Sequence, residues 1–158
     1  ITDPKQSLIN SDAAEAVSDT GELRRNWGQG TYTINTPRTQ AAMGWIGGQK
    51  ISLADVNIAI TTRNATVAVQ SLDGNPISTS GRIMISLGAR SVPKSGNQLP
   101  FYSEPMQGQL IVKAPKGLKL YKRVEPTGEM HQIAAPYRNG RYLIDPVKAL
   151  GTHWLFLR

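Results

Sequence analysis

The sequence predicts an all-β fold, a β-sandwich of jelly-roll or immunoglobulin-like type behind a short N-terminal lead-in segment. Three observations carry that expectation. Apolar residues recur with period two, as in "TYTINT", "TVAVQSL", "GRIMISLGA" and "QLIVKA". Such alternation marks strands with one buried face. Turn chemistry separates these runs: Asp-Gly in "LDGNP" (Leu72–Pro76), Asn-Gly in "RNGR" (Arg138–Arg141) and "PTGE" (Pro126–Glu129). These are hairpin signals. Finally, no stretch after residue 20 keeps a helical period for three turns.

In chain order, residues 1–20 are small and polar and read as a linker or lead-in strap, with "SDAAEAV" as one or two helical turns capped by Ser11. Residues 21–158 read as one sandwich module. Strands are expected near 31–35, 40–46, 50–53, 56–60, 66–71, 76–78, 82–88, 109–113, 118–122, 130–134, 141–144 and 152–157. Ser91–Pro105 carries no periodic signal and is expected to be a long irregular loop. Pro146 in "DPVKAL" suits the first position of a single helical turn.

Composition bounds the function. A chain of 158 residues suits one domain with a real core, and 39% hydrophobic residues exceed a disordered composition. No apolar run reaches membrane-spanning length, so no membrane partner is expected. No secretory signal peptide is visible, and the first residue is Ile rather than Met, as in a part excised from a longer protein. With no cysteine, disulfides and thiolate metal sites are excluded. The net charge of +7 sits in the second half: residues 81–158 hold twelve Lys/Arg against four Asp/Glu.

Lys113, Lys116, Lys119, Lys122 and Arg123 could track a polyanion, but fit better as strand-edge lysines that oppose aggregation. Aromatic residues do not interleave with them and no nucleic-acid motif is present, so no nucleic-acid partner is expected. His131 and His153 have no carboxylates at metal-site spacing, and neither a metal nor a cofactor is expected. Paired carboxylates suited to glycosidic cleavage and a nucleophile elbow are both missing, so no catalytic residue is assigned.

Trp27 stands out in "NWGQGTYTINTP", between Asn26 and Gln29 with glycines on either side. Apolar C–H faces of sugars stack on aromatic rings, while amides bond the hydroxyls. Trp27 therefore reads either as a sugar platform or as packing at a sandwich end, with Asn26 and Gln29 as lesser contacts. Trp45 in "AAMGWIGG" reads first as packing, and extends the platform where it faces out. Tyr102 in the long loop is a further glycan contact, with Phe101 beside it. Alternation puts Trp154 and Phe156 opposite Leu155 and Leu157, and Trp154 reads as structural. Tyr32 reads as core. Tyr121, Tyr137 and Tyr142 read as rings covering the sandwich edge with hydroxyls in water.

Ser18–Gly48 ("SDTGELRRNWGQGTYTINTPRTQAAMGWIGG") resembles a segment found in bacterial glycoside hydrolases downstream of their catalytic barrel. Val67–Arg90 ("VAVQSLDGNPISTSGRIMISLGAR") and the basic "GQLIVKAPKGLKLYKRVEPTGE" resemble the same β-sandwich modules. The resemblance implies a non-catalytic accessory or carbohydrate-binding module of a secreted, extracellular cellulase-like or β-glycan-degrading enzyme. Its partners would be a polysaccharide or oligosaccharide and the catalytic domain of the same polypeptide. The alternative it implies is a structural accessory domain that packs on that barrel without binding glycan. It supplies no sugar-binding position directly.

Overall fold

The structure, a computed structural model, describes residues 13–96 and 98–158. The described residues form a β-sandwich of a nine-stranded and a five-stranded sheet, with a further two-stranded ribbon. The larger sheet is entirely antiparallel, with nine strands in the order β1-β2-β3-β4-β7-β8-β16-β12-β13. These are β1 (Glu15–Val17), β2 (Leu23–Asn26), β3 (Thr31–Asn35), β4 (Thr39–Gly44), β7 (Ala65–Ser71), β8 (Ile83–Ala89), β16 (Trp154–Leu157), β12 (Leu120–Arg123) and β13 (Met130–Ile133). The second sheet has the order β14-β15-β11-β6-β5. Its members are β14 (Tyr137–Arg138), β15 (Arg141–Ile144), β11 (Gly108–Lys113), β6 (Val56–Ile60) and β5 (Ile51–Ser52). β9 (Ser91–Ser95) and β10 (Gln98–Ser103) form a separate two-stranded ribbon.

Period-two patterning fixes which faces meet. Val67 and Val69 of β7, Ile83 and Ile85 of β8, and Leu155 and Leu157 of β16 are at most 1% exposed. They pack against Val56, Ile58 and Ile60 of β6, Leu110 and Val112 of β11, and Ile144 of β15 in one core. Each such aliphatic side chain contributes about 1.5–3 kcal/mol on burial. A one-residue slip would turn these rows outward, so the core holds the register.

The core also encloses one polar pin. Gln40 on β4 is fully buried and Asp55, just before β6, nearly so. The Asp55 backbone N–H donates to Gln40 Oε1 at 2.8 Å, and Lys113 Nζ on β11 lies 3.7 Å from Asp55 Oδ1. One side chain of the larger sheet is thereby tied to two strands of the smaller.

Several sequence expectations change here. Residues 1–12, with the Ser11 cap, lie outside the described residues; Glu15–Val17, expected in a helical turn, is an edge strand paired with β2. Its outer neighbour positions, Arg24 and Arg25, alternate too weakly in hydrophobicity to announce the pair. Ser91–Pro105 is mostly the β9–β10 ribbon rather than irregular loop, because its pairing is local and needs little apolar burial. Residues 76–78, expected as strand, fall in a short 3₁₀ turn, Ile77–Thr79, where Pro76 precedes the buried Ile77. The Asp-Gly of "LDGNP" opens a longer connection, residues 72–82, instead of a tight hairpin. Asp73 organises it by accepting from Ser71 Oγ (2.9 Å), Ser80 Oγ (2.9 Å), Asn75 N–H (3.2 Å) and Gly81 N–H (2.8 Å). "RNGR" does form the hairpin between β14 and β15, with positive φ at both Asn139 and Gly140 as a two-residue turn demands. Pro146–Ala149 forms the expected helical turn, capped by Asp145 Oδ1 accepting from the Val147 N–H at 3.0 Å. The Tyr137 and Tyr142 hydroxyls donate to the carbonyls of Ala114 and Pro115 rather than to water, and Tyr142 is buried. Burial pushes the Tyr142 phenol above its ordinary pKa.

Candidate functional site

The antiparallel register of the larger sheet aligns strand ends. Asn26 pairs with Thr31, Thr31 with Gly44, Gly44 with Ala65, and Ala65 with Ala89. That row marks one end of the sheet. Trp27 leaves β2 there and Trp45 leaves β4 there. Trp154 begins β16 near the same end, opposite Ser86 and three residues short of Ala89 along β8. Tryptophans distant in sequence therefore share one end of the sandwich. The axes of β4 and β16 are three strand spacings apart, roughly 14 Å in a flat sheet.

All three indoles are open to solvent: Trp27 is 41% exposed, Trp45 50% and Trp154 38%. For Trp154 this overturns the packing role read from sequence. The alternation was correct, but Leu155 and Leu157 occupy the core face and leave Trp154 outside. Tyr32 is displaced for the same reason. Thr31 and Thr33 turn toward the core side, and Tyr32 lies half-buried on the outer face opposite Met43.

Each tryptophan carries an arginine. Arg25 Cζ lies 5.2 Å from the centre of the Trp27 ring, Arg63 5.1 Å from Trp45 and Arg123 5.9 Å from Trp154. Arg158 lies 4.8 Å from the Tyr121 ring. A guanidinium over a ring is attracted by the π-electron density and fixes the ring's orientation. The sequence reading missed these pairings: Arg25 lies two residues before Trp27 on β2, whereas Arg63 and Arg123 reach Trp45 and Trp154 from a turn and from the end of β12.

Turn geometry seats the first two tryptophans. Asn26 Oδ1 accepts the Gln29 N–H at 2.8 Å, and the Gly30 N–H donates to the Trp27 carbonyl at 3.2 Å. The Asn26 side chain is therefore committed to closing the Trp27 turn, whereas Gln29 is exposed. The space above Gly30 serves Trp45, not Trp27: a Cβ there would stand 2.3 Å from Trp45 Cδ1. Gln49 Nε2 donates to the Trp45 carbonyl at 2.7 Å. A shallow cleft of about 430 Å³ lies beside Trp27, bounded by Arg25, Tyr32 and Met43.

Tyr102 lies apart from the Trp27 cleft. It projects from β10 into a groove of about 400 Å³ between the ribbon and the start of β16. Phe101, Leu150, His153 and Trp154 line the groove with it. Tyr102 is 58% exposed and Phe101 51%. His153 Nδ1 donates to the Leu87 carbonyl at 3.0 Å, which fixes its ring at the groove wall. Of the sequence-predicted residues, Asn26 and Trp27 line the cleft, Gln29 lies with Asn26 in a separate groove, Trp45 packs over Gly30, and Tyr102 shares a groove with Trp154.

No known protein family, curated protein or solved structure matches this chain.

Proposed function

We propose that this domain is a non-catalytic glycan-binding module of a larger polysaccharide-degrading enzyme. The observation that carries this reading is the presentation of Trp27, Trp45 and Trp154, half-open to water, along one end of one sheet. Indoles normally hide most of their surface, and clustered exposure marks a binding surface. Sugar C–H faces would rest on the rings, with the exposed Gln29 and the groove's Tyr102 hydroxyl bonding sugar hydroxyls. Arginine stacking restricts ring motion before binding, which reduces the entropy lost with ligand.

Affinity electrophoresis in gels containing hydroxyethylcellulose, xylan, glucomannan or polygalacturonate tests the reading. Retardation in at least one polymer is expected. Trp27→Ala and Trp154→Ala should each weaken it about tenfold, the loss of one stacked ring, at unchanged melting temperature. Free migration in every gel would end the proposal.

A second reading has its own observation. The outer face of β3 and β4 presents Tyr32, Ile34 and Met43, each half-buried, around the buried Ala41. This half-buried apolar strip suits packing on the catalytic domain of the same polypeptide. Tight association with that domain, without retardation by any glycan, would favour it.

A further inference from the structure

The outer face of the larger sheet has an uneven charge. Registers place Arg25 and Arg123 outward, with Arg158 just past the end of β16. Outward strand positions from β1 to β13 hold no Asp or Glu among the described residues.

Beneath the β12–β13 hairpin this face opens into a depression of about 340 Å³, lined by Arg82, Arg123 and Arg158 around Leu72, Met130 and Phe156. Arg123 is paired with Glu125 at 3.1 Å. Arg82 and Arg158 have no carboxylate within ion-pair distance among the described residues. The Asp73 carboxylate accepts from four donors of its own loop and makes no ion pair with either arginine. Like charges gathered at one partly apolar depression repel one another, and an anion relieves that repulsion.

We infer that the depression at Arg82, Arg123 and Arg158 binds the carboxylate or sulfate group of an acidic glycan lying across the sheet. This rests on the glycan-binding reading above. Guanidinium forks match the planar carboxylate and the sulfate oxygens with paired hydrogen bonds, and the Phe156 and Met130 floor meets the sugar's C–H face. A nucleic acid fits less well, because it needs a continuous run of cations along its phosphates. The lysines that would extend such a run are divided: Lys113 lies on β11 of the other sheet and pairs with Asp55, while Lys122 sits opposite Leu155 and donates to the Leu150 carbonyl.

The test uses matched polymers: polygalacturonate against its carboxyl-reduced form, and cellulose sulfate against hydroxyethylcellulose. The first pair reports a carboxylate, the second a sulfate. At least one acidic polymer should bind roughly tenfold tighter than its neutral counterpart, as expected for a charged hydrogen-bond pair, and lose that advantage at high salt. Arg82→Gln/Arg158→Gln should abolish the acidic preference while leaving neutral-polymer binding and melting temperature unchanged. Equal binding of acidic and neutral partners, or acidic binding untouched by the double variant, overturns the inference. So does duplex DNA binding as tightly as the acidic polymers and losing as much in the double variant. If Trp27→Ala still weakens glycan binding in those cases, the module reading stands alone. If no polymer binds at all, both fall together.

Discussion

Asp73 shows how much one exposed side chain can organise. Partial desolvation raises its pKa, but hydrogen bonds from Ser80, Ser71, Asn75 and Gly81 outweigh this and hold the carboxyl far below its ordinary 3.8. A depressed folded pKa stabilises the fold above the unfolded value, and the gain disappears as pH falls toward the folded one. Asp73→Asn should therefore melt below wild type at neutral pH, with the gap closing as pH falls below about 3.9. Thermal melts from pH 7 to pH 2 check this; a gap independent of pH would mean that the ionised carboxylate is not what holds the loop. Sequence showed the Asp-Gly turn signal but not these four donors, since Ser80 and Gly81 lie beyond any local turn pattern. The tryptophans had a similar limit. Period two in "THWLFLR" correctly separated Trp154 from Leu155, but choosing the inward face required the neighbours Ile83 and Ile85.

At the scale of elements, strands with strong apolar alternation were legible, and β3, β6 and β15 fall at their expected bounds. Those that add little to the core, β1, β2, β9, β10 and β14, were not, because edge and ribbon strands are held by backbone pairing with few buried side chains. The turn between β2 and β3 also hid its purpose. Gly30 has φ +64°, and Trp45 lies where a Cβ would stand. Gly48 has a comparable φ of +79° with open space around it. Gly48→Ala should pay only the left-handed backbone cost, roughly 1–2 kcal/mol. Gly30→Ala should pay this and also displace Trp45, giving a larger loss of stability with a shift in tryptophan emission. Denaturant unfolding of both variants, followed by fluorescence, separates the terms. Equal losses with identical emission would show that the indole does not depend on this seat.

At the scale of the whole molecule, two sheets with mostly aliphatic inner faces could slide against each other at little cost, because dispersion and burial are weakly directional. The proposed site, spread over strand ends of the larger sheet and the ribbon, needs that sliding stopped. Gln40 supplies direction: its amide lies inside the core, accepts the Asp55 N–H at 2.8 Å, and places Nε2 3.5 Å from Asp55 Oδ2. Replacing it by Leu keeps similar volume but strands a nearly buried N–H, which costs about 1–3 kcal/mol. For a domain of this size that is roughly 4–8 °C in melting temperature for the middle of that range. Lys113→Met should cost much less, because Lys113 is half exposed and screened, and solvated pairs contribute about 0–1 kcal/mol. Gln40→Leu and Asp55→Asn should couple in a double-mutant cycle, since they share one hydrogen-bond network. Strict additivity would mean that the sheets are aligned by shape alone. If the pin does set alignment, Gln40→Leu should also broaden amide NMR signals on the facing strands β4 and β6, while those of the peripheral β14–β15 hairpin stay sharp.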